Sequence, residues 1–166
     1  MVSPRDPATK VMNRDAARHW RESQHGAVVF TNGVFDLLHP GHVDVLAAAR
    51  SEGDALIVAV NSDASTRRLK GAERPLRPEQ DRAYIVAALE SVDAVVLFEE
   101  DTPLELIRLL RPDVLVKGAD YSAEAIAGAG DVQSRGGRVV IVPLTAGHSS
   151  TAMIQRLRGE DSARPV

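Results

Sequence analysis

The chain has 166 residues, of which 44% are hydrophobic and 26% charged, and its net charge is −3, as in an ordinary soluble globular domain. The absence of cysteine excludes disulfides, zinc–thiolate sites and thiol nucleophiles. A net negative charge argues against a general nucleic-acid-binding protein. The N-terminus lacks the apolar core of a signal peptide and no apolar run approaches the length of a membrane span. We therefore expect a cytoplasmic protein with no membrane partner.

Apolar, β-branched runs alternate with helical patterns along the chain. The N-terminal stretch from Asn13 to about Gln24 predicts a helix that packs Trp20 on the domain. Strands are predicted near 27–32, 54–61, 93–98, 113–117 and 138–143. Helices are predicted near 40–51, 78–90, 102–110 and 122–134, the third starting in a capping box from Thr102 to Glu105. This alternation predicts an α/β fold with a parallel five-stranded sheet and helices on both faces.

The stretch from Thr31 to His42, which reads TNGVFDLLHPGH, follows the first predicted strand directly and leads into a helix. The first backbone N–H groups of a helix lack intrahelical partners, and the helix dipole favours an anion there. His39 and His42 lie three residues apart, so they share one helix face above that position. Gly41 between them lets a phosphate approach the backbone. The pattern predicts a phosphate-binding site.

A basic region follows the second predicted strand and its residue Asn61. Between positions 65 and 82 the positive residues exceed the negative ones by six to three, in an acidic chain: Arg67, Arg68, Lys70, Arg74, Arg77 and Arg82 against Glu73, Glu79 and Asp81. A small polyanionic ligand fits this region, because no aromatic residue interleaves with it to stack on bases. A solvated basic loop explains any single residue, and Arg82 could instead pair with Asp81 or Glu79.

The loops after the last two predicted strands also hold polar residues, at the sheet edge where α/β proteins bind ligands. Lys117, Gly118 and Asp120 can present both charge signs to a nucleotide, although a tight turn with a hydrogen bond from Asp120 explains them too. Three hydroxyl residues, from Ser149 to Thr151, begin a helix and predict a second anion site. One of these serines must cap that helix, and the neighbouring His148 is equally explained as an incidental loop residue.

Several segments, in order and spacing over about residues 13 to 158, resemble the H-x-G-H nucleotidyltransferases of the cytidylyltransferase-like group. They are TNGVFDLLHPGH, VNSDAS, RLKG, DRAYIVAALESVD, PDVLVKGADY and SST. Within that group they look most like the adenylyltransferases that make ADP-heptose. The resemblance implies a Rossmann-like fold for a nucleotidyltransferase domain over residues 27–158. The residues outside it predict an N-terminal extension with a packing helix over 1–26 and, because 159–166 are polar, a disordered tail.

The resemblance also implies a reaction: AMP passes from ATP to D-glycero-D-manno-heptose 1-phosphate, giving ADP-heptose and pyrophosphate. It implies Mg²⁺ held mainly by the ATP phosphates with no direct protein ligand, a homodimer, and a separate heptose 7-phosphate kinase upstream. The implied catalytic residues are His39, His42, Lys70 and Arg82. Those implied at the nucleotide are Thr31, Asn32, Gly33, Phe35, Gly41, Lys117, Gly118, Asp120, Ser149, Ser150 and Thr151. Those implied in substrate binding are Asp36, Asn61 and Arg74.

Two alternatives stay open at this point. The first is a cytidylyltransferase acting on a polyol phosphate such as glycerol 3-phosphate, because it would share the histidine motif and the hydroxyl-rich helix start. The second is a non-catalytic nucleotide-sugar binding protein that kept the fold. A hydride-transfer enzyme is disfavoured, since no G-x-G-x-x-G follows the first predicted strand.

Overall fold

The computed structural model describes residues 6–119, 126–143 and 147–157, and its centre is one parallel sheet. The six strands are β1 (Val11–Met12), β2 (Val28–Gly33), β3 (Ala55–Asn61), β4 (Ala94–Phe98), β5 (Val114–Gly118) and β6 (Arg138–Val142). The α/β sheet is confirmed, but the predicted count of five strands is wrong. The additional strand, β1, has two residues and pairs with β4 at the sheet edge. Two residues are too few to show a strand periodicity in sequence.

The helices are α1 (Arg14–Glu22), α2 (Pro40–Arg50), α3 (Asp63–Lys70), α4 (Glu79–Ala87), α5 (Leu104–Leu110), α6 (Ala129–Ser134) and α7 (Ser150–Leu157). A 3₁₀ turn, Pro7–Lys10, precedes β1. Helix α3 forms in part of the segment that was predicted to be a basic loop. The helix could not be recognised in the sequence because its buried residues, Ser65 and Thr66, are polar and give no apolar pattern.

The capping box predicted at Thr102 is wrong. The N-cap of α5 is Pro103, with no side-chain hydrogen bond, and Glu105 pairs instead with Arg108 at 2.9 Å. The first residues of the helix predicted over 122–134 lie outside the described residues, and α6 forms its last part.

Helices cover both faces of the sheet, which explains the continuous apolar strands. On one face, residues such as Phe30 and Ile57 pack with α1, α5 and α6, and Trp20 packs against this cluster as predicted. On the other face, residues such as Val58 pack with α2 and α4. Within the described ranges, none of the helices has the length and apolar character needed to cross a bilayer.

The strand order is β1-β4-β3-β2-β5-β6, so the direction of strand succession reverses between β2 and β5. The pairing of these two strands registers Val29 with Val114 and Phe30 with Leu115, after which both strands continue to a glycine. In open α/β sheets the crevice for ligands lies at such a reversal, beyond the carboxyl ends of the strands. The histidine motif begins at this place.

Candidate functional site

Two histidine rings stack at the N-terminus of α2. His39 is the N-cap residue and Pro40 begins the helix, and no side chain caps it. The ring centroids of His39 and His42 lie 3.9 Å apart with an interplanar angle of 21°. The ring of His148 also stacks on that of His39 with centroids 6.1 Å apart, and the ring of Phe35 lies 5.2 Å from that of His42. The sequence analysis left open whether His148 belongs to this cluster, and the structure brings it there.

The turn that leads to the histidines is held in a strained conformation. Phe35 has φ +49° and is buried, and a left-handed backbone at a bulky non-glycine residue costs about 1–2 kcal/mol. Gly33 lets the Phe35 ring fold back over β2, because a Cβ at position 33 would lie 3.0 Å from the ring. Hydrogen bonds from other segments must therefore hold this turn in place.

The N-terminus of α7 lies close to that of α2. The Ser150 hydroxyl donates to the carbonyl of Leu37 at 2.9 Å, which fastens α7 to the loop between β2 and α2 (residues 34–39, the histidine loop). A Cβ at Gly41 would lie 3.1 Å from His39 Nδ1 and 3.3 Å from His148 Cβ, so a side chain there would make these neighbours move by a few tenths of an ångström. Ser149 caps α7 by accepting from the amide of Ala152 at 3.4 Å, as one serine was expected to do. Thr151 is exposed beside it.

Both imidazoles of the motif are held in the neutral form at pH 7. Burial, and then the neighbouring His39, lower the pKa of His42 to about 4. Burial, and then His148, also lower the pKa of His39 below its ordinary value. The Nδ1 atoms of both rings are buried without a hydrogen-bond partner among the described residues. A buried N–H without an acceptor is rarer than a buried acceptor without a donor, so the ring proton belongs on Nε2, which can then donate to a ligand.

A polar bridge crosses the crevice between β2 and β5. The Lys117 ammonium donates to the Asn32 side-chain oxygen, and so joins the carboxyl ends of the two strands. Gly118 ends β5 next to it, whereas Asp120 lies outside the described residues. Thr31, by contrast, is a buried residue within β2. The bridge puts a positive charge at the mouth of the crevice, close to the strand that leads to the histidines.

Three charged residues connect the basic region to the histidine loop. Asp36 is buried and accepts from Arg74 Nε at 2.6 Å, as well as from two backbone amides. Arg82 is completely buried and donates to the Val34 carbonyl at 2.6 Å. Burial by itself raises the pKa of Asp36, but the hydrogen bonds from Leu76, Arg77 and Arg74 outweigh it and lower that pKa below its ordinary value. Asp36 is therefore ionised at neutral pH.

Two predicted residues are not joined to this cluster. Asn61 is buried and donates to the Ser65 hydroxyl at 3.0 Å, so its amide nitrogen supports α3. Lys70 is exposed at the last residue of α3, and within the part of the chain that the structure describes no hydrogen bond or ion pair ties it to the histidine loop.

The carboxylates and histidines do not converge into a metal site. In residues 6–119, 126–143 and 147–157, no group of three or more such side chains could hold a metal ion. Asp36 was the nearest carboxylate to consider, but both of its oxygens already accept hydrogen bonds. A metal at this site would therefore depend on oxygens that a ligand brings with it.

Comparison with known proteins identifies related sequences over most of the chain. The family model described as cytidylyltransferase-like matches residues 30–156. "Bifunctional protein HldE" of Acidiphilium cryptum is 54% identical over 154 residues, covering 93% of this chain and 32% of that protein. The protein of the same name from Gluconacetobacter diazotrophicus is 60% identical over 136 residues, covering 82% and 28%. This chain thus spans about a third of the length of these relatives.

Solved structures agree with this relationship. A lipopolysaccharide core biosynthesis protein from Thermoplasma volcanium is 30% identical with a TM-score of 0.58, covering 72% of this chain and 97% of that one. A pantoate-beta-alanine ligase from Francisella tularensis, in complex with beta-gamma ATP and beta-alanine, has a TM-score of 0.63 at 15% identity, covering 89% of this chain and 76% of that one. The second likeness concerns the fold alone.

Proposed function

Because the chain belongs to the cytidylyltransferase-like family, we propose that it transfers AMP from ATP to D-glycero-D-manno-heptose 1-phosphate, releasing pyrophosphate and giving ADP-heptose. The segments that resemble ADP-heptose-forming adenylyltransferases support this acceptor. The similarity to the two HldE proteins supports it as well. They are called bifunctional and are 54–60% identical to this chain, which matches about a third of their length and so can correspond to one of their two functions.

One observation carries the proposed chemistry: two neutral imidazoles stack at the N-terminus of α2, close to that of α7 and at the reversal of strand order. Each helix N-terminus offers unpaired N–H groups and a positive dipole end. With their protons on Nε2, His39 and His42 add two further donors. Such a set of fixed donors suits a phosphate chain whose negative charge grows during reaction.

In the proposed reaction an oxygen of the acceptor phosphate attacks the α-phosphorus of ATP. The bond from the α-phosphorus to the bridging oxygen of the β-phosphate breaks, and pyrophosphate leaves from the opposite side. The attacking oxygen is already anionic, so neither a general base nor a covalent enzyme intermediate is needed. Catalysis then consists of positioning and charge stabilisation.

The described residues would have different roles in the reaction, according to their positions. His39 and His42 would donate to the oxygens that gain charge, and Arg74, with Lys70 if it swings inward, would bind terminal phosphates. Lys117 and the hydroxyl residues Ser149 to Thr151 would bind the nucleotide. Mg²⁺ bound to the phosphate oxygens would neutralise part of their charge when present. We also expect a homodimer, which light scattering on the purified protein would test.

A pyrophosphate-release assay tests the acceptor and the base together. ATP and CTP are each offered with heptose 1-phosphate of either anomeric configuration and with glycerol 3-phosphate, and products are identified by mass. We expect release with ATP and heptose 1-phosphate only, and release slowed roughly 10²–10³-fold in a His42→Ala control. Release with CTP and glycerol 3-phosphate would replace the proposal by polyol cytidylyl transfer. Tight nucleotide binding without release under any condition would indicate a non-catalytic binding protein.

A further inference from the structure

We infer that Asp36 and Arg82 are positioning residues, which hold the segment from Arg74 to Arg77 against the histidine loop so that Arg74 faces the phosphates. This inference deepens the proposed function and rests on it. It gives Asp36 and Arg82 a different role from the direct substrate contact that the sequence resemblance implies.

The carboxylate of Asp36 accepts hydrogen bonds from the segment between Arg74 and Arg77. The residue is 1% exposed. Its Oδ2 accepts from Arg74 Nε at 2.6 Å, and its Oδ1 accepts from the amides of Leu76 at 2.8 Å and Arg77 at 3.1 Å. Three donors from one short segment thus converge on one buried carboxylate. A phosphate would be repelled by this anion, and a metal would have to displace these donors.

Arg82 is equally committed to the protein. It is 0% exposed, and each nitrogen of its guanidinium donates to a different segment. Nε donates to the Arg77 carbonyl at 3.0 Å, Nη1 to the Val34 carbonyl at 2.6 Å, and Nη2 to Asp63 Oδ1 at 2.7 Å. The side chain therefore ties together the end of the segment, the strained turn before the histidines, and the start of α3. A phosphate contact would require it to abandon one of these partners in the interior.

These contacts determine how the side chain of Arg74 is oriented. Its side chain is 12% exposed and is held through Nε by Asp36. Its two Nη atoms make no hydrogen bond to any residue in the described ranges. A guanidinium anchored at Nε presents these two groups in a fixed orientation, which is the geometry for bidentate phosphate binding. Arg74 is thus the phosphate ligand, and Asp36 and Arg82 act through it.

A double-mutant cycle with Mg²⁺-pyrophosphate as the probe tests this inference. Arg74→Gln, Asp36→Asn and Arg82→Gln should each weaken pyrophosphate binding roughly tenfold or more, the scale of one charged hydrogen bond. Adding Asp36→Asn or Arg82→Gln to Arg74→Gln should then weaken binding by less than about twofold, because the residue they position is gone. If the losses of pyrophosphate affinity in the single variants multiply in the double variants, the inference is wrong.

Two further measurements separate positioning from contact. Arg82→Lys keeps the charge but cannot hold three segments, so we expect it to bind pyrophosphate as weakly as Arg82→Gln; restored binding would indicate direct contact. If the Arg82 variants do not fold, the Asp36→Asn cycle decides alone. Asp36→Asn should also accelerate hydrogen exchange at the amides of Leu76 and Arg77, and unchanged exchange would contradict the inference. The control is Asp101→Asn, which breaks the exposed ion pair to Arg68.

These readouts need no sugar acceptor, so they separate this inference from the proposed function. Non-additive binding without turnover on heptose 1-phosphate would retain the positioning role and reject the acceptor. Multiplied losses alongside ADP-heptose formation would do the reverse.

Discussion

The two neighbouring strands β2 and β3 each lead into a helix, yet the two junctions differ in how they satisfy their backbone. After β3, the Ser62 hydroxyl accepts from the Ser65 amide at 3.1 Å, and the Ser65 hydroxyl donates to the Glu100 carbonyl at 3.0 Å. Both serines are buried. After β2, His39 stands at the N-cap of α2 without a side-chain hydrogen bond. One junction is closed by its own side chains, and the other is left open.

The comparison teaches that the N-terminus of α2 is left open to a ligand because the protein withholds the usual cap there. At the open junction the helix gives up roughly the 1 kcal/mol that a serine cap provides, and it also contains the strained Phe35. Contacts from outside the junction, from Arg82 to the Val34 carbonyl and from Ser150 to the Leu37 carbonyl, hold it instead. We expect substitutions at the open junction to change activity, and substitutions at the closed one to change stability.

The largest effect should come from His42→Ala. Removing one donor to the transition state is expected to lower turnover by roughly 10²–10³-fold, with the urea midpoint changed much less. His25→Ala, which removes an exposed histidine outside the junction, serves as the matched control and should keep full activity. Steady-state pyrophosphate release measures both. Wild-type turnover in His42→Ala would move the chemistry away from this junction.

A smaller loss is expected from Gly41→Ala. The new methyl would lie 3.1 Å from His39 Nδ1 and would push the ring aside by a few tenths of an ångström. Since misplacements of about 1 Å can cost about 10²-fold in rate, we expect roughly a tenfold loss of turnover. Gly130→Ala in α6 adds the same methyl where nothing lies within 4 Å, and should leave turnover unchanged. Equal rates for the two variants would refute the close-packing argument.

At the closed junction, Ser62→Ala should lower the free energy of unfolding by about 1 kcal/mol through loss of the cap. Turnover of the folded variant should stay within about twofold of wild type. Urea denaturation and the release assay measure the two quantities on one preparation. A variant that kept its stability and lost its activity would show that this junction also takes part in the site.

The last prediction concerns protonation. Because the pKa of His42 is about 4 when folded and about 6.5 for an unperturbed histidine, the unfolded chain binds more protons between these values. Stability contributed by neutral His42 is therefore complete above about pH 6.5 and declines as the pH falls towards 4. NMR titration should find His42 neutral at pH 6. Half-protonation of His42 near pH 6.5 would contradict this assignment.

Much of the architecture follows from local sequence. Five strands lie within one residue of their predicted bounds, because strands buried on both faces must be continuous apolar runs. The histidine motif could equally be recognised in the sequence, since a strand, a glycine turn and a helix start are local features. Strand β1 and helix α3 escaped prediction, since the first has two residues and the second buries polar side chains.

The sequence by itself therefore determined the parallel sheet, the histidine pair at one strand end and the family, all of which depend on residues close in the chain. Only the tertiary structure decided what the charged residues do. In the sequence Arg82 could bind a ligand or pair with Asp81 or Glu79, yet in the fold it reaches Val34, 48 positions away, and Asp36 meets Arg74 across 38. Charge is visible in a sequence but burial is not, because burial is decided by the segments that fold over a side chain.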